Sequence, residues 1–429
     1  MSSIGDMFKN VKRKADGWMN VLVGLGKKQD KTQYSYWGEF TFLCDDELSK
    51  LYTGEGFAKR IIDLPANDMI REWITIENDD DDFIGDILND LKAKSKFNEA
   101  LKWQRLYGGS IVIVGAMDGE SMDKPLNINH TRSIEWLYVV DKSQIELSTS
   151  YLVDDTTKNN FGKIEVYDMY IGPMNKRLKV HSSRVLEFFG QPAPKRVSDL
   201  DNEIRYWGMS ELQSIWEKLR SYGAGFQSVE NILFEFIVGK YKLKGLAEKL
   251  ATNQEEEIIT RMEIVGMFKS SLNAILLDAD HEDYIRDTAN LGGLSDLLDR
   301  LMINLAGSTG IPVTKLFGRS PAGMNATGES DTTNYYDNIA AMQESQLHDP
   351  LQDLVDLIAK VYDRGDKHQI KFNPLFQMDE KEMAEIANKN ALTDQIYMDS
   401  GVIGSDEVRY IRFPKLDENY NVGEQNNGK

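Results

Sequence analysis

The chain has 429 residues, 41% of them apolar and 10% aromatic, enough for the cores of two or three ordinary domains. Its 69 acidic side chains outweigh 50 basic ones and give a net charge of −19, the reverse of the basic footprint of a protein that grips nucleic acid. A single cysteine excludes an intrachain disulfide, and no apolar run approaches the roughly 18 to 20 residues of a membrane span.

Residues 1–39 are locally basic, with Lys9, Lys12, Arg13 and Lys14 ahead of the short stretch Trp18–Leu25. They lack the succession of a secretory signal and read as an arm, so folding in a reducing cytoplasm is expected. Cys44 is expected to be a small core residue. From Glu47 to Met69, Leu48, Leu51, Tyr52, Phe57, Ile61 and Ile62 recur at helical spacing. The glycines at 54 and 56 split this run into two short helices, closing near Pro65. A strand over Trp73–Ile76, the acidic run Asp79–Asp82 as a solvated loop, and a helix over Phe83–Leu91 follow. Another helix, Phe97–Leu106, stops at Gly108 and Gly109 before the wholly apolar strand Ser110–Val114. Strand patterns then cover Trp136–Val140, Ile164–Met169, Arg177–His181 and Val185–Phe188, with turn residues Gly172, Pro173 and Asn175. Strands and helices that do not alternate regularly predict an α+β, mainly helical chain rather than a doubly wound parallel sheet.

Ser210 is placed to cap a helix through Leu212, Ile215, Trp216, Leu219 and Tyr222 that continues to Val238, with a weak spot at Gly223 and Gly225. About 28 residues at about 1.5 Å each make an element of about 40 Å, unusually long for a compact domain. A small unit follows: a strand over Tyr241–Leu246, a charged helix over Gln254–Val265 and a strand over Asn273–Leu277. Leu294, Leu297, Leu298, Leu301, Met302 and Leu305 then form the clearest helical stripe of the chain, ending at Gly307. A loop is expected over Gly310–Thr333, and a long helix over Asn334–Val361 that Pro350 should kink near His348 or Asp349. Short helical patterns occupy Glu380–Arg412, and the polar tail Asp417–Lys429 reads as disordered.

Much catalytic chemistry is missing from this pattern. There is no GxxxxGK[ST] loop to cradle phosphates, and Gly108–Gly109 do not extend to GxGxxG. His130, His181, His281, His348 and His368 show no metal-ligand spacing, and the acidic run Asp79–Asp82 lacks the glycine and distal glutamate of a calcium loop. His181 and Ser183 form one HxS, half of the signature of two-histidine phosphoesterases, and no other histidine supplies the second half. No enzyme, cofactor or metal is therefore expected.

Five strings carry a resemblance: LYTGEGFAKRIIDLPANDMIREW (Leu51–Trp73), RLYGGSIVIVG (Arg105–Gly115), HSSRVLEFFG (His181–Gly190), WGMSELQ (Trp207–Gln213) and GIPVTKLFGRSPAGMNATGESDTTNYYD (Gly310–Asp337). Together with the order of elements, they resemble the portal proteins of tailed bacteriophages, in particular the portal family first described as a domain of unknown function. The resemblance implies a portal fold with wing, stem, clip and crown, assembled as a ring of usually twelve subunits at one capsid vertex. Its boundaries would be a basic arm at 1–39, wing at 40–207, stem helix at 208–238, clip at 239–287 and second stem helix at 288–309. The tunnel loop would be 310–331, a kinked helix returning to the wing 332–379, and the crown with a flexible tail 380–429.

By the same resemblance the ring would be the channel for genome packaging and ejection. Its partners would be further copies of itself, the major capsid protein, the terminase large subunit, a head–tail adaptor or neck protein, and double-stranded DNA passing without sequence specificity. No membrane is implied, and the location would be the virion after assembly in the host cytoplasm. The tunnel loop would present Lys315, Arg319, Ser320, Asn325, Thr327 and Glu329 near DNA, and Pro350 would mark the helix kink. Lys242, Lys244, Glu255, Glu256 and Glu257 would face motor or adaptor from the clip. For Lys315 and Arg319, contact with passing phosphates and pairing with Glu329 or Asp331 stand open side by side. An acidic lining suits such a channel, because repulsion keeps a polyanion from sticking. A head–tail adaptor ring and a virion phosphodiesterase are the competing readings.

Overall fold

A computed structural model describes residues 42–79, 81–147, 152–157, 161–199, 201–235, 240–243, 260, 263, 282–285, 293–318, 328–365, 368–376 and 380–412. Helices α1 (Asp45–Gly54) and α2 (Gly56–Ile70) are split by Glu55 alone, whose extended backbone and carboxylate start the second helix by accepting the Phe57 N–H. Cys44 is exposed, not buried as expected: it precedes the first turn of α1, where the Glu47 carboxylate accepts its N–H at 3.0 Å. Its place at a helix start, not its apolarity, decides its exposure.

Nor does α2 close near Pro65; it runs through the proline to Ile70. Proline has no N–H to give the carbonyl four residues back, which is that of Ile61. That carbonyl accepts Nη2 of Arg105 at 3.3 Å instead, and Ile61, Ile62, Ala66 and Met69 are buried around it. The helix survives because tertiary structure supplies the missing donor.

Strand β1 (Ile74–Glu77) leads to α3 (Phe83–Asp90) and α4 (Ala93–Tyr107). The acidic run between β1 and α3 is more than a solvated loop. Asp79 accepts the N–H groups of Ile84 and Gly85 at 3.0 and 3.1 Å, capping α3, and Asp81 pairs with Arg364 at 2.7 Å.

Helix α4 ends at Gly108, as expected, and β2 (Gly109–Ala116) follows as the middle strand of an antiparallel sheet with β3 (Ile134–Asp141) and β7 (Val185–Phe189). The two-residue period of a strand sends Val112 and Val114 to one face and Ile111 and Ile113 to the other. Both faces are buried, which is why the segment reads as continuously apolar. On the second face lies another antiparallel sheet of β4 (Ile145–Glu146), β5 (Val166–Ile171) and β6 (Lys176–His181), which contributes Ile145, Tyr167, Met169 and Val180.

Two short helices that the residue pattern does not reveal, α5 (Lys195–Ser198) and α6 (Asn202–Trp207), precede α7 (Glu211–Glu235). Ser210 caps α7 by accepting the Leu212 N–H at 3.1 Å. The helix is continuous through Gly223 and Gly225, and its 25 residues span about 37 Å. Gly225 faces α8 (Leu294–Thr309), and a Cβ there would come within 2.4 Å of Leu301 Cδ1. Strands β8 (Lys240–Leu243) and β9 (Glu282–Ile285) pair antiparallel. The strand expected over Asn273–Leu277 lies outside the described residues, as does the helix over Gln254–Val265 apart from Thr260 and Glu263, which are helical.

Helix α8 runs past Gly307 to Thr309, stopped by Gly310 at φ +69°. The expected loop then contains a helix, α9 (Val313–Phe317), and the first turn of α10 (Gly328–Met342). A π-helical turn, Gln343–Leu347, separates α10 from α11 (His348–Val361), so the irregularity falls one turn earlier than the expected kink. The His348 N–H reaches back to the Gln343 carbonyl, and Pro350 consequently sits in the first turn of α11, where a missing N–H costs least.

Strand β10 (Gln369–Phe372) pairs antiparallel with β1, and Gln352 of α11 covers its other edge by accepting the Ile370 N–H at 3.0 Å and donating to the His368 carbonyl at 2.7 Å. One large core joins α1–α4, one face of the three-stranded sheet, the start of α7, the end of α8, and α9–α11. Helices α12 (Glu380–Asp399) and α13 (Ser405–Arg412) close the described chain, with Arg412 bridging to Asp394 at 2.8 and 3.2 Å.

Arg105→Met should lower stability by about 2–4 kcal/mol, because it leaves Glu211 with Gln191 as its remaining donor and strands the Ile61 carbonyl. Adding Pro65→Ala, which returns the helical donor to Ile61, should recover part of the loss in urea denaturation. A second expectation concerns acid. Arg177 on β6 holds the buried Asp168 carboxyl below the usual carboxylate range. A depressed folded pKa contributes stability above the ordinary aspartate pKa of about 3.9 and loses it as pH falls through the folded value. Wild type should therefore exceed Arg177→Met in stability most at pH 7, and the gap should shrink below about pH 4.

Candidate functional site at the roots of the long helices

Helix α7 leaves the sheet region at a place where three peptide segments nearly touch. Gly108 ends α4 at φ +88°, Gly190 follows β7, and Gly208 links α6 to α7 at φ +101° and ψ −171°. A Cβ on Gly108 would lie 2.6 Å from the Gly208 carbonyl oxygen, one on Gly190 2.6 Å from Gly108, and one on Gly208 2.7 Å from the Gln191 carbonyl oxygen. The Gly190 N–H is shared between the Gly108 and Trp207 carbonyls, at 3.0 and 2.9 Å. Gln191 and Met209 exchange two backbone bonds at 3.1 and 2.8 Å. Glu211, the first residue of α7, then accepts from Gln191 Nε2 at 2.9 Å and from the buried Arg105 at 3.3 Å. Three of the five strings that carried the resemblance meet here.

The other two meet at Asp68. It lies seven residues after Ile61 on the buried face of α2, and only 8% of its surface is exposed. Lys315 Nζ of α9 pairs with Asp68 Oδ2 at 2.7 Å, and the Tyr335 hydroxyl of α10 donates to the same oxygen at 2.9 Å. Arg71 reaches Oδ1 at 3.4 Å and donates to the Tyr336 hydroxyl at 3.0 Å. The Lys315 ammonium also sits over the Tyr335 and Tyr336 rings, 4.8 and 4.5 Å from their centres. Burial and the neighbouring Asp68 carboxylate push the Tyr335 hydroxyl pKa up. Burial would do the same to Tyr336, but Arg71 and Lys315 outweigh it and the shift is downward.

Lys315 is thus held by Asp68, and the side chain of Glu329 lies outside the described residues. Arg319, Ser320, Asn325 and Thr327 lie outside the described residues, as do Lys244, Glu255, Glu256 and Glu257. Glu329 belongs to the first turn of α10, Lys242 to β8 and Pro350 to the first turn of α11. Asp68, Arg71, Tyr335 and Tyr336 escaped sequence reasoning. The available signal was a carboxylate in the middle of an apolar helical stripe, and its meaning depended on one cation and one hydroxyl more than 240 residues away.

The HxS pair is engaged in local structure: His181 Nδ1 accepts the Ser183 N–H at 3.1 Å, and Ser183 Oγ accepts the Leu126 N–H at 2.8 Å. Among the described residues no three His, Cys, Asp or Glu side chains are grouped to hold a metal ion. Apolar side chains instead stand exposed along the paired long helices: Phe226 and Ile232 on α7, Leu297 and Ile303 on α8. Leu297, a member of the apolar stripe of α8, is left exposed.

Gly208→Ala should cost at least about 3 kcal/mol, since its backbone conformation is essentially confined to glycine and a methyl would strike the Gln191 carbonyl. Thermal unfolding beside the Gly54→Ala control, where a Cβ meets open space and φ is not positive, would check this.

A family model described as phage portal protein matches residues 46–396. An uncharacterized protein of Haemophilus influenzae is 29% identical over 405 residues, covering 92% of this chain and 88% of its own length. A protein of a Caulobacter species named anti-CBASS protein Acb1 is 30% identical over 395 residues, covering 88% of this chain. The chain spans only 62% of that relative's length. The fold matches a chain in the neck of a native gene transfer agent particle, computed with C12 symmetry, with a TM-score of 0.53 and 14% identity over 87% of this chain and 95% of that one.

Proposed function

The chain belongs to the phage portal protein family, and on that premise we propose that its copies, twelve being the expected number, close into a ring at one capsid vertex through which the genome is packaged and ejected. The observation that carries this reading is the exposed apolar set Phe226, Ile232, Leu297 and Ile303 on two long helices that already pack on each other. A solitary chain leaves this surface in water, whereas cyclic repetition covers it. The net charge of −19 supports the channel, because few attractive phosphate contacts would oppose the sliding of a polyanion.

In this reading residues 40–207 form the wing, 208–238 and 288–309 the stem, 239–287 the clip, 332–379 the helix returning to the wing and 380–429 the crown. The clip docks the terminase motor and later a neck or adaptor protein, through Lys242, Lys244, Glu255, Glu256 and Glu257. The tunnel loop, 310–331, turns Ser320, Asn325, Thr327 and Glu329 toward DNA. Of its two cations, Lys315 is occupied by Asp68, so contact with phosphates falls to Arg319. The protein resides in the virion, beside the major capsid protein, after assembly in the host cytoplasm.

A second reading, a phosphodiesterase, draws on the HxS pair His181 and Ser183 alone. A lone HxS whose histidine caps its own turn speaks against placing that chemistry in this chain.

Negative-stain images of the purified protein should contain rings with a central hole. Phe226→Glu combined with Leu297→Glu should abolish the rings while shifting unfolding of the single chain by less than about 1 kcal/mol, as expected of surface positions. A wild-type protein that stays monomeric at every concentration would overturn the ring.

A further inference from the structure

The Asp68 cluster joins the two flanks of the segment 319–327. Lys315 lies on the flank before it and Tyr335 on the flank after it, yet both bind one oxygen of one carboxylate. We infer that Asp68 is a shared anchor locking α9 and the first turns of α10 to α2, so that the two flanks move as one body rather than as independent hinges.

Helix α9 has five residues and no side-chain cap, too short to hold a position by its own hydrogen bonds. Its place is set from outside. On one side Phe317 packs against Phe57 of α2 and Tyr222 of α7, with ring centres 4.8 and 5.6 Å apart. On another, Arg60 of α2 donates to the Lys315 carbonyl at 2.8 Å. On the third, the Lys315 ammonium lies between the Asp68 carboxylate and the two tyrosine rings of α10.

The side chains of Lys315 and Asp68 are only 23% and 11% exposed, so salt screens their attraction weakly. A carboxylate can accept about four hydrogen bonds, and Asp68 uses its capacity to bind α9, α10 and its own helix together. Removing a group on one flank therefore loosens the other. This inference does not depend on the channel reading, and imaging of rings fails or succeeds separately from it.

The test is hydrogen exchange on the full-length protein, read at the amides of Leu316 and Gly318 for one flank and of residues 332–340 for the other. Lys315→Met should speed exchange at 332–340 at least tenfold, and Tyr335→Phe should speed it at Leu316 and Gly318. Asp68→Asn should speed both, with β2 unchanged in all three. Acceleration confined to the flank that carries the substitution would overturn the shared anchor. Tyr335→Phe removes a single hydroxyl and keeps the question decidable if Lys315→Met does not fold.

Discussion

The architecture depends on a steric constraint: three backbone segments at Gly108, Gly190 and Gly208 pass closer than any Cβ allows. That approach lets the end of α4, the end of β7 and the start of α7 share one set of backbone hydrogen bonds. Because α7 extends about 37 Å from this point, a small rotation at its root would displace its far end by several ångströms. The glycines permit the contact, and Glu211 with its two donors, Arg105 and Gln191, gives it a direction.

Arg105 illustrates how the same core handles a second constraint. A proline inside α2 leaves a carbonyl without its donor, and the guanidinium that fills the gap is the one that holds the root of α7. Helix continuity and the placement of α7 are therefore coupled through one buried cation. The π-helical turn before Pro350 is a different solution to the same difficulty: the chain changes hydrogen-bond register first and begins a new helix in which the proline is harmless.

These devices serve a molecule whose surface is divided in purpose. In the proposed ring the excess of carboxylates suits a passing polyanion, and the apolar groups exposed on the long helices meet further copies. Lys315 shows the division at the scale of one residue. Near a path for DNA a free lysine would bind phosphate; held by Asp68 and two aromatic rings, its charge is spent on the scaffold.

What the sequence alone determined was local. The stop of α4 at Gly108, the doubly buried β2, the Ser210 cap and the stripe of α8 follow from periodicity and capping within a few residues, and the five strings pointed to the family. The tertiary structure decided whatever depends on distant partners. The pairing of β1 with β10 joins segments almost three hundred residues apart, Pro65 sits harmlessly in α2 only because Arg105 lies beside it, and Lys315 finds Asp68 across 247 positions. A donor, an acceptor or a charge announces in the sequence that it needs a partner; which partner meets it is fixed only when the chain has packed, because that choice is made by distance in space.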